Sequence, residues 1–143
     1  MRSLLDTNIL VYADAADEPV KQAQALALIT GLRRSGHAVL STQVLQEFVN
    51  VGLRKLRLPP ALLRERLALY GRFEIVLSSA ELVAAALDLH TLRGINFYDA
   101  LIVQAAAASG CVRVLSEDMQ DGAVIAGVRI ENPFKPTPAS PGR

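Results

Sequence analysis

Short apolar runs alternate along this chain with longer stretches that read as helices. "SLL" at residues 3–5 reads as a short buried strand, and residues 8–13 follow as a helical turn. "DEPVKQAQALALITGLRRSG" reads as a helix with Pro19 near its first turn, Arg33 and Arg34 in its last, and Gly36 as its stop. "AVLS" is the next strand. "TQVLQEFVNVGLRKL" is a helix that ends before Pro59 and Pro60, and "PALLRERLALYGRF" is another. "EIVLS" is a third strand. A helix opened by Ser79 and closed by Gly94 follows, then "NFYDALIVQAAAASG", with Asn96 as N-cap and Gly110 as C-cap. "VRVLS" and "GVRIEN" complete the set as strands. Strands of about five residues alternating with helices predict an α/β fold whose parallel sheet is covered on both faces. No internal repeat or linker interrupts the body, so one domain is expected over residues 1–134. The Pro-rich segment "KPTPASPGR" from Lys135 is expected to be a flexible tail.

Composition narrows the class. The chain has 143 residues, 51% hydrophobic and 20% charged, enough to bury a real core. Its apolar runs fall short of the roughly 20 residues a membrane span needs, and no signal-peptide pattern opens it. Soluble, cytoplasmic location is the expectation. Cys111 is the single cysteine, which excludes an intrachain disulfide and argues against a thiolate zinc site. Net charge is +1. Any grip on a phosphate backbone must therefore come from local patches or a bound metal rather than a global field.

The candidate chemistry lies in four acids. In open α/β sheets, ligands bind at the carboxyl ends of the strands. Asp6 directly follows the first strand, between two segments that both look bound for the core. Asp118 comes two residues after "VRVLS". Glu47 sits in the helix after "AVLS", and Asp99 in the first turn of the helix before "VRVLS". Each has an ordinary explanation on its own. Asp6 could simply cap a helix. Glu47 falls beside Val44 and Val51 at the edge of an apolar stripe, where boundary residues are common. Asp99 could sit at the third position behind an Asn96 cap. That does not explain an acid on a helix with hardly a solvent face. Asp118 lies in the polar turn "SEDMQDG", where Glu117 and Asp121 compete with it for any role. Taken together the four weigh more. Two bare carboxylates about 4 Å apart repel by roughly 4 kcal/mol at an effective dielectric near 20, a large share of a domain's stability of about 5–15 kcal/mol. No Lys or Arg stands next to any of the four as an obvious partner, and Arg93 is the candidate considered. A divalent cation would offset the repulsion, and carboxylate oxygens suit Mg²⁺ or Mn²⁺ rather than zinc.

These residues resemble the PIN-domain family, and especially the VapC-type toxin ribonucleases of toxin–antitoxin pairs. The matching stretches are "LLDTN", Glu47 in "TQVLQEF", "NFYDALIVQAA" around Asp99 and "VLSEDMQDG" around Asp118, in the family's order over about residues 1–133. The resemblance implies a Mg²⁺- or Mn²⁺-dependent endoribonuclease on a three-layer α/β/α sandwich with a mainly parallel sheet. It places the family's acidic positions on Asp6, Glu47, Asp99 and Asp118. Asp6, Asp99 and Asp118 would hold the metal, directly or through water, with Glu47 completing its shell through water or orienting the attacking water. The family's polar helpers fall on Thr7, Asn8 and Ser116. It further implies a homodimer and an antitoxin partner, for which the helices spanning 48–56 and 62–73 are the contact candidates. One departure stands out: Gln120 occupies a position where many members carry a further Asp, which leaves one or two metal ions open.

Arg54, Lys55, Arg57 and Arg93 are candidate RNA contacts, joined by Arg64 and Arg66; a solvated helix end is the competing reading for the first group. His37 and His90 receive no role, Cys111 reads as a core residue, and Phe97 and Tyr98 read as packing residues with base stacking as the alternative. Two rival functions remain to be weighed. An aspartyl-phosphate phosphatase would want a second Asp two residues after Asp6, where Asn8 stands. A catalytically silent PIN-fold module that binds RNA or protein would gain nothing from four mutually repelling acids.

Overall fold

The computed structural model describes residues 1–136; most of the expected tail therefore lies outside the described residues. Six strands form one sheet: β1 (Ser3–Leu5), β2 (Ala38–Ser41), β3 (Glu74–Val76), β4 (Arg113–Leu115), β5 (Val124–Ile125) and β6 (Val128–Glu131), in the order β3-β2-β1-β4-β6-β5. All neighbouring pairs are parallel except β5 with β6. Six helices connect them: α1 (Thr7–Ala13), α2 (Pro19–Ser35), α3 (Thr42–Arg54), α4 (Pro60–Tyr70), α5 (Ala80–Arg93) and α6 (Phe97–Ala108). The chain moves outward from β1 through β2 to β3, then crosses back to place β4 on the other side of β1. Right-handed crossovers in opposite directions put their helices on opposite faces. In agreement, α1 packs on α2 and α3, α3 packs on α4, and α5 packs on α6. The result is the mainly parallel α/β/α sandwich that the resemblance implies.

Several element ends fall one to three residues from the sequence reading, and α1, α6 and the last hairpin show the local reasons. Helix α1 begins at Thr7, one residue early, because the Asp6 side chain accepts the Thr7 backbone N–H and caps it. Helix α6 ends at Ala108 with Ser109 as C-cap, and Gly110 takes the left-handed position one residue later (φ 74°). Strand β5 was not expected. It joins β6 through Ala126 and Gly127, both at positive φ, the tight primed turn that suits a two-residue hairpin. Hairpins of this kind usually advertise themselves with Asn-Gly or Asp-Gly, and an alanine at the first position hides the signal.

Burial explains why Asp6 sits where it does. Leu4 and Leu5 before it, and Ile9 and Leu10 after it, are fully buried. At about 1.5–3 kcal/mol per buried aliphatic side chain, these four outweigh the cost of carrying one carboxylate inward. The register does the rest. Leu5 pairs with Leu115, and the Asp6 N–H donates to the Leu115 carbonyl (3.0 Å). Asp6 thus lies beside Ser116 at the carboxyl ends of the two central strands.

Candidate active site

Beyond those strand ends lies a cleft of about 140 Å³ lined by Asp6, Thr7, Asn8, Gln43, Glu47, Val51, Tyr98, Asp99, Ile102 and Asp118. It opens between β1 and β4, where the strand order reverses and an α/β sheet offers its crevice. Each acid arrives on a different element. Asp6 ends β1. Ser41 ends β2 and caps α3 by accepting the Val44 N–H (3.2 Å), which sets Glu47 in the second turn. Asn96 caps α6 by accepting from Tyr98 N (2.9 Å) and Asp99 N (3.4 Å), so Asp99 occupies the third helical position. Asp118 leaves β4 on a loop. The ordinary explanations for Asp6 and Asp99 are therefore true as far as they go, since Asp6 caps a helix and Asp99 follows a cap. Neither prevents the side chain from facing the cleft.

Neutral donors hold the acids. Asp6 Oδ1 accepts the Thr7 N–H (2.8 Å) and Oδ2 accepts the Ser116 hydroxyl (2.7 Å). A carboxylate oxygen has two acceptor positions, so each keeps one free. Glu47 accepts the Thr7 hydroxyl (3.1 Å) and the Gln43 amide (2.6 Å), and Asp118 accepts the Asn8 amide (2.5 Å). No Lys or Arg lines the cleft among the described residues. The electrostatic consequence falls on the most buried member. Burial pushes the Asp6 carboxyl up to about 6, outweighing the Ser116 and Thr7 hydrogen bonds that pull it down, and Glu47 and Asp99 add a smaller repulsion. Burial raises Asp99 as well, with Asp118 and Glu47 contributing.

The competing acids are engaged elsewhere. Glu117 accepts from Tyr12 and Lys21, and Asp121 accepts the Asn132 N–H (2.8 Å) and pairs with Lys135 (3.3 Å). Of the basic candidates, Arg54, Lys55, Arg57 and Arg64 are exposed and none lines the cleft. Arg93 is exposed and donates to the Val124 carbonyl (3.3 Å). Arg66 is bound bidentately to Asp14, with three contacts of 2.9–3.1 Å, which leaves it little freedom as an RNA ligand. Phe97 packs on the core while Tyr98 stands exposed at the rim, which separates two residues the sequence treated alike. Gln43 is the polar cleft residue that sequence reasoning missed. Its one clue was the four-residue spacing to Glu47, which puts both on one helix face; it also donates to the Tyr98 carbonyl (3.2 Å) and so bridges α3 to α6.

An oxygen-only donor set with spare acceptor positions fits a hard divalent cation such as Mg²⁺ or Mn²⁺. Among the described residues, no three His, Cys, Asp or Glu side chains are drawn close enough to hold one ion between them. Mg²⁺ is commonly held by only one or two carboxylates, with water and substrate phosphates completing its shell, so the donor set and the spacing remain compatible.

A parallel α/β sandwich with an acidic crevice at its strand-order reversal defines the class. The chain belongs to the PIN domain family, whose model matches residues 3–120. Solved structures of the same fold include a toxin–antitoxin complex from Klebsiella pneumoniae, 20% identical with a TM-score of 0.70 over 93% of this chain and 98% of that one. VapBC2 from Rickettsia felis, bound to a DNA fragment from its promoter, is 24% identical with a TM-score of 0.66, covering 92% and 98%. VapC20 from Mycobacterium tuberculosis, a sarcin-ricin loop cleaving toxin, is 19% identical with a TM-score of 0.62, covering 81% and 89%. At these identities the likeness is one of fold. A search of curated protein sequences finds no significant match. No helix among the described residues is long and apolar enough to cross a membrane.

Proposed function

We propose that this protein is a Mg²⁺- or Mn²⁺-dependent endoribonuclease, the toxin of a toxin–antitoxin pair. The observation that carries this reading is the acid cleft: four carboxylates from four elements line it, none has a cationic partner there, and one is buried enough to titrate near 6. A bound divalent ion would lower the pKa of its water and stabilise charge developing on the scissile phosphate. Asp6, Asp99 and Asp118 would hold it, one or two of them directly and the rest through water. Ser116 and Thr7 orient Asp6 by donating to its two oxygens. Glu47, steadied by Thr7 and Gln43, is placed to accept a proton from an attacking water. Asn8 orients Asp118. Exposed Tyr98 at the rim offers a ring on which a base could stack.

Partners follow from the same reading. Several neighbours were solved as toxin–antitoxin complexes, and an antitoxin is the proposed partner here. The residues at 48–56 and 62–73 are less available to it than the sequence suggested, because Phe48, Leu63 and Tyr70 are buried in the core. Leu53 stays exposed within the first stretch, and Leu26 is the exposed apolar residue of the groove between α2 and α4. A homodimer would cover Val83 and Leu87, exposed one turn apart on α5.

One observation favours a silent binding module instead: three carboxylates do not converge on a single point. Cleavage of a mixed RNA pool by wild type and Asp99→Asn, with Mn²⁺ and with EDTA, separates the readings. Metal-dependent cutting by wild type alone supports the nuclease. A folded Asp99→Asn that cuts as fast as wild type removes Asp99 from the site, and a wild type that neither cuts nor gains thermal stability from Mn²⁺ leaves the module.

A further inference from the structure

Three consecutive residues of the loop leaving β4 are tied to the segment that leaves β1. Ser116 donates to Asp6 (2.7 Å), the Tyr12 hydroxyl donates to Glu117 Oε1 (2.5 Å), and Asn8 donates to Asp118 Oδ2 (2.5 Å). Asn8 and Tyr12 are four residues apart, so one face of α1 presents both. Lys21 comes in from α2. Its ammonium donates to Glu117 Oε2 (2.7 Å) and to the Tyr12 hydroxyl (3.2 Å), and lies 4.8 Å from the Tyr12 ring centroid. Phe134 closes the cluster, meeting the Tyr12 ring edge-on with centroids 5.0 Å apart. Both oxygens of Glu117 are therefore occupied, by donors from two helices, and Glu117 does not line the acid cleft. Its neighbour Asp118 does, is exposed, and has a single side-chain bond.

A loop residue with one hydrogen bond is poorly held unless the backbone beside it is fixed. From this geometry we infer that Glu117 is a positioning residue: anchored by Tyr12 and Lys21, it holds the β4 loop so that Asp118 stays in the acid cleft. The inference rests on the proposed metal-dependent reading of that cleft. It gives Glu117 a task in the site without contact to metal or substrate, as outer partners do for metal ligands generally.

Mn²⁺ titrated calorimetrically into the full-length chain tests it, with melting in EDTA as the control for fold. Glu117→Ala is expected to weaken Mn²⁺ binding roughly tenfold, and Glu117→Gln, which can still accept the Tyr12 hydroxyl, to recover part of that loss. Tyr12→Phe keeps the ring on Phe134 and removes one donor. It is expected to weaken binding by a smaller factor, and it decides the matter if Glu117→Ala loses its melting transition. A brace for stability alone would lower Tm and leave the Mn²⁺ Kd unchanged. If wild type binds Mn²⁺ and Asp118→Asn weakens it, but Glu117→Ala and Tyr12→Phe bind like wild type, the positioning role is overturned and the cleft reading survives. If wild type binds no Mn²⁺, or Asp118→Asn leaves its Kd unmoved, the metal role of Asp118 fails and the inference falls with it.

Discussion

Helix α1 carries an aspartate at each end, and the fold treats the two in opposite ways. Asp6 is its N-cap and Asp14 its C-cap. Both are nearly out of solvent: Asp6 is 9% exposed, and the Asp14 side chain is also 9% exposed. Asp14 stands at the negative end of the helix, where a carboxylate is unfavourable, and Arg66 from α4 grips it with a guanidinium fork. Asp6 stands at the favourable end, receives only neutral donors, and still has its carboxyl pushed up to about 6 by burial. A fixed cation completes the first site within the protein itself. The second is left one positive charge short, as a site must be if its cation is to arrive from solution and share itself with a substrate.

The largest effect expected from breaking this contrast is catalytic. Asp6→Asn should lower cleavage in Mn²⁺ by about a thousandfold, about 4 kcal/mol of barrier, whereas Arg66→Met should leave metal-dependent cleavage near wild type; kcat/KM on one defined RNA reads both. Next comes stability against pH in EDTA. The folded Asp6 carboxyl holds its proton up to about 6, against 3.8 for an ordinary aspartate. Its contribution to stability is thus fully present below about pH 4 and declines as pH rises through about 6, reaching a loss of about 3 kcal/mol. Asp99 is shifted in the same direction and adds to the decline. Urea unfolding at about pH 4.5 and about pH 7.5 should show this fall in wild type and a smaller one in Asp6→Asn. At the other end of the helix, Arg66→Met leaves a mostly buried carboxylate unpaired. Since the Arg66 side chain is itself a third exposed, the expected loss is about 2 kcal/mol at neutral pH, read from the urea midpoint. The smallest effect is that of Thr7→Val, which keeps the cap N–H but deletes the hydroxyl bonded to Glu47. About 1 kcal/mol of stability should go, with a rise in the Mn²⁺ concentration needed for half-maximal cleavage.

What was legible in the sequence follows the range of the forces involved. Strands β1, β2 and β4 could be read because a short apolar run ending at Asp6, Ser41 or Ser116 is a local pattern. Asp99 was legible because an acid on an otherwise apolar helix contradicts its surroundings. Strand β5 was not, since two residues carry no periodicity and Ala126 conceals the turn. The pairing of Arg66 with Asp14 was not legible for a different reason: the two lie 52 residues apart, and no local rule connects them. Gln43 and the division of labour between Glu117 and Asp118 likewise depend on which elements the sheet order brings together.

The same sheet order sets when the site can exist. The hydroxyl that holds Asp6 belongs to Ser116, 110 residues later in the chain, and β1 finds its central neighbour only when β4 has been made. At a translation rate of about 5–20 residues per second, those 110 residues correspond to roughly 5–20 s in which the chain has its first acid and no cleft. A chain that stops before β4 lacks Ser116 and Asp118, and with them the hydrogen bond that holds Asp6 and one wall of the cleft.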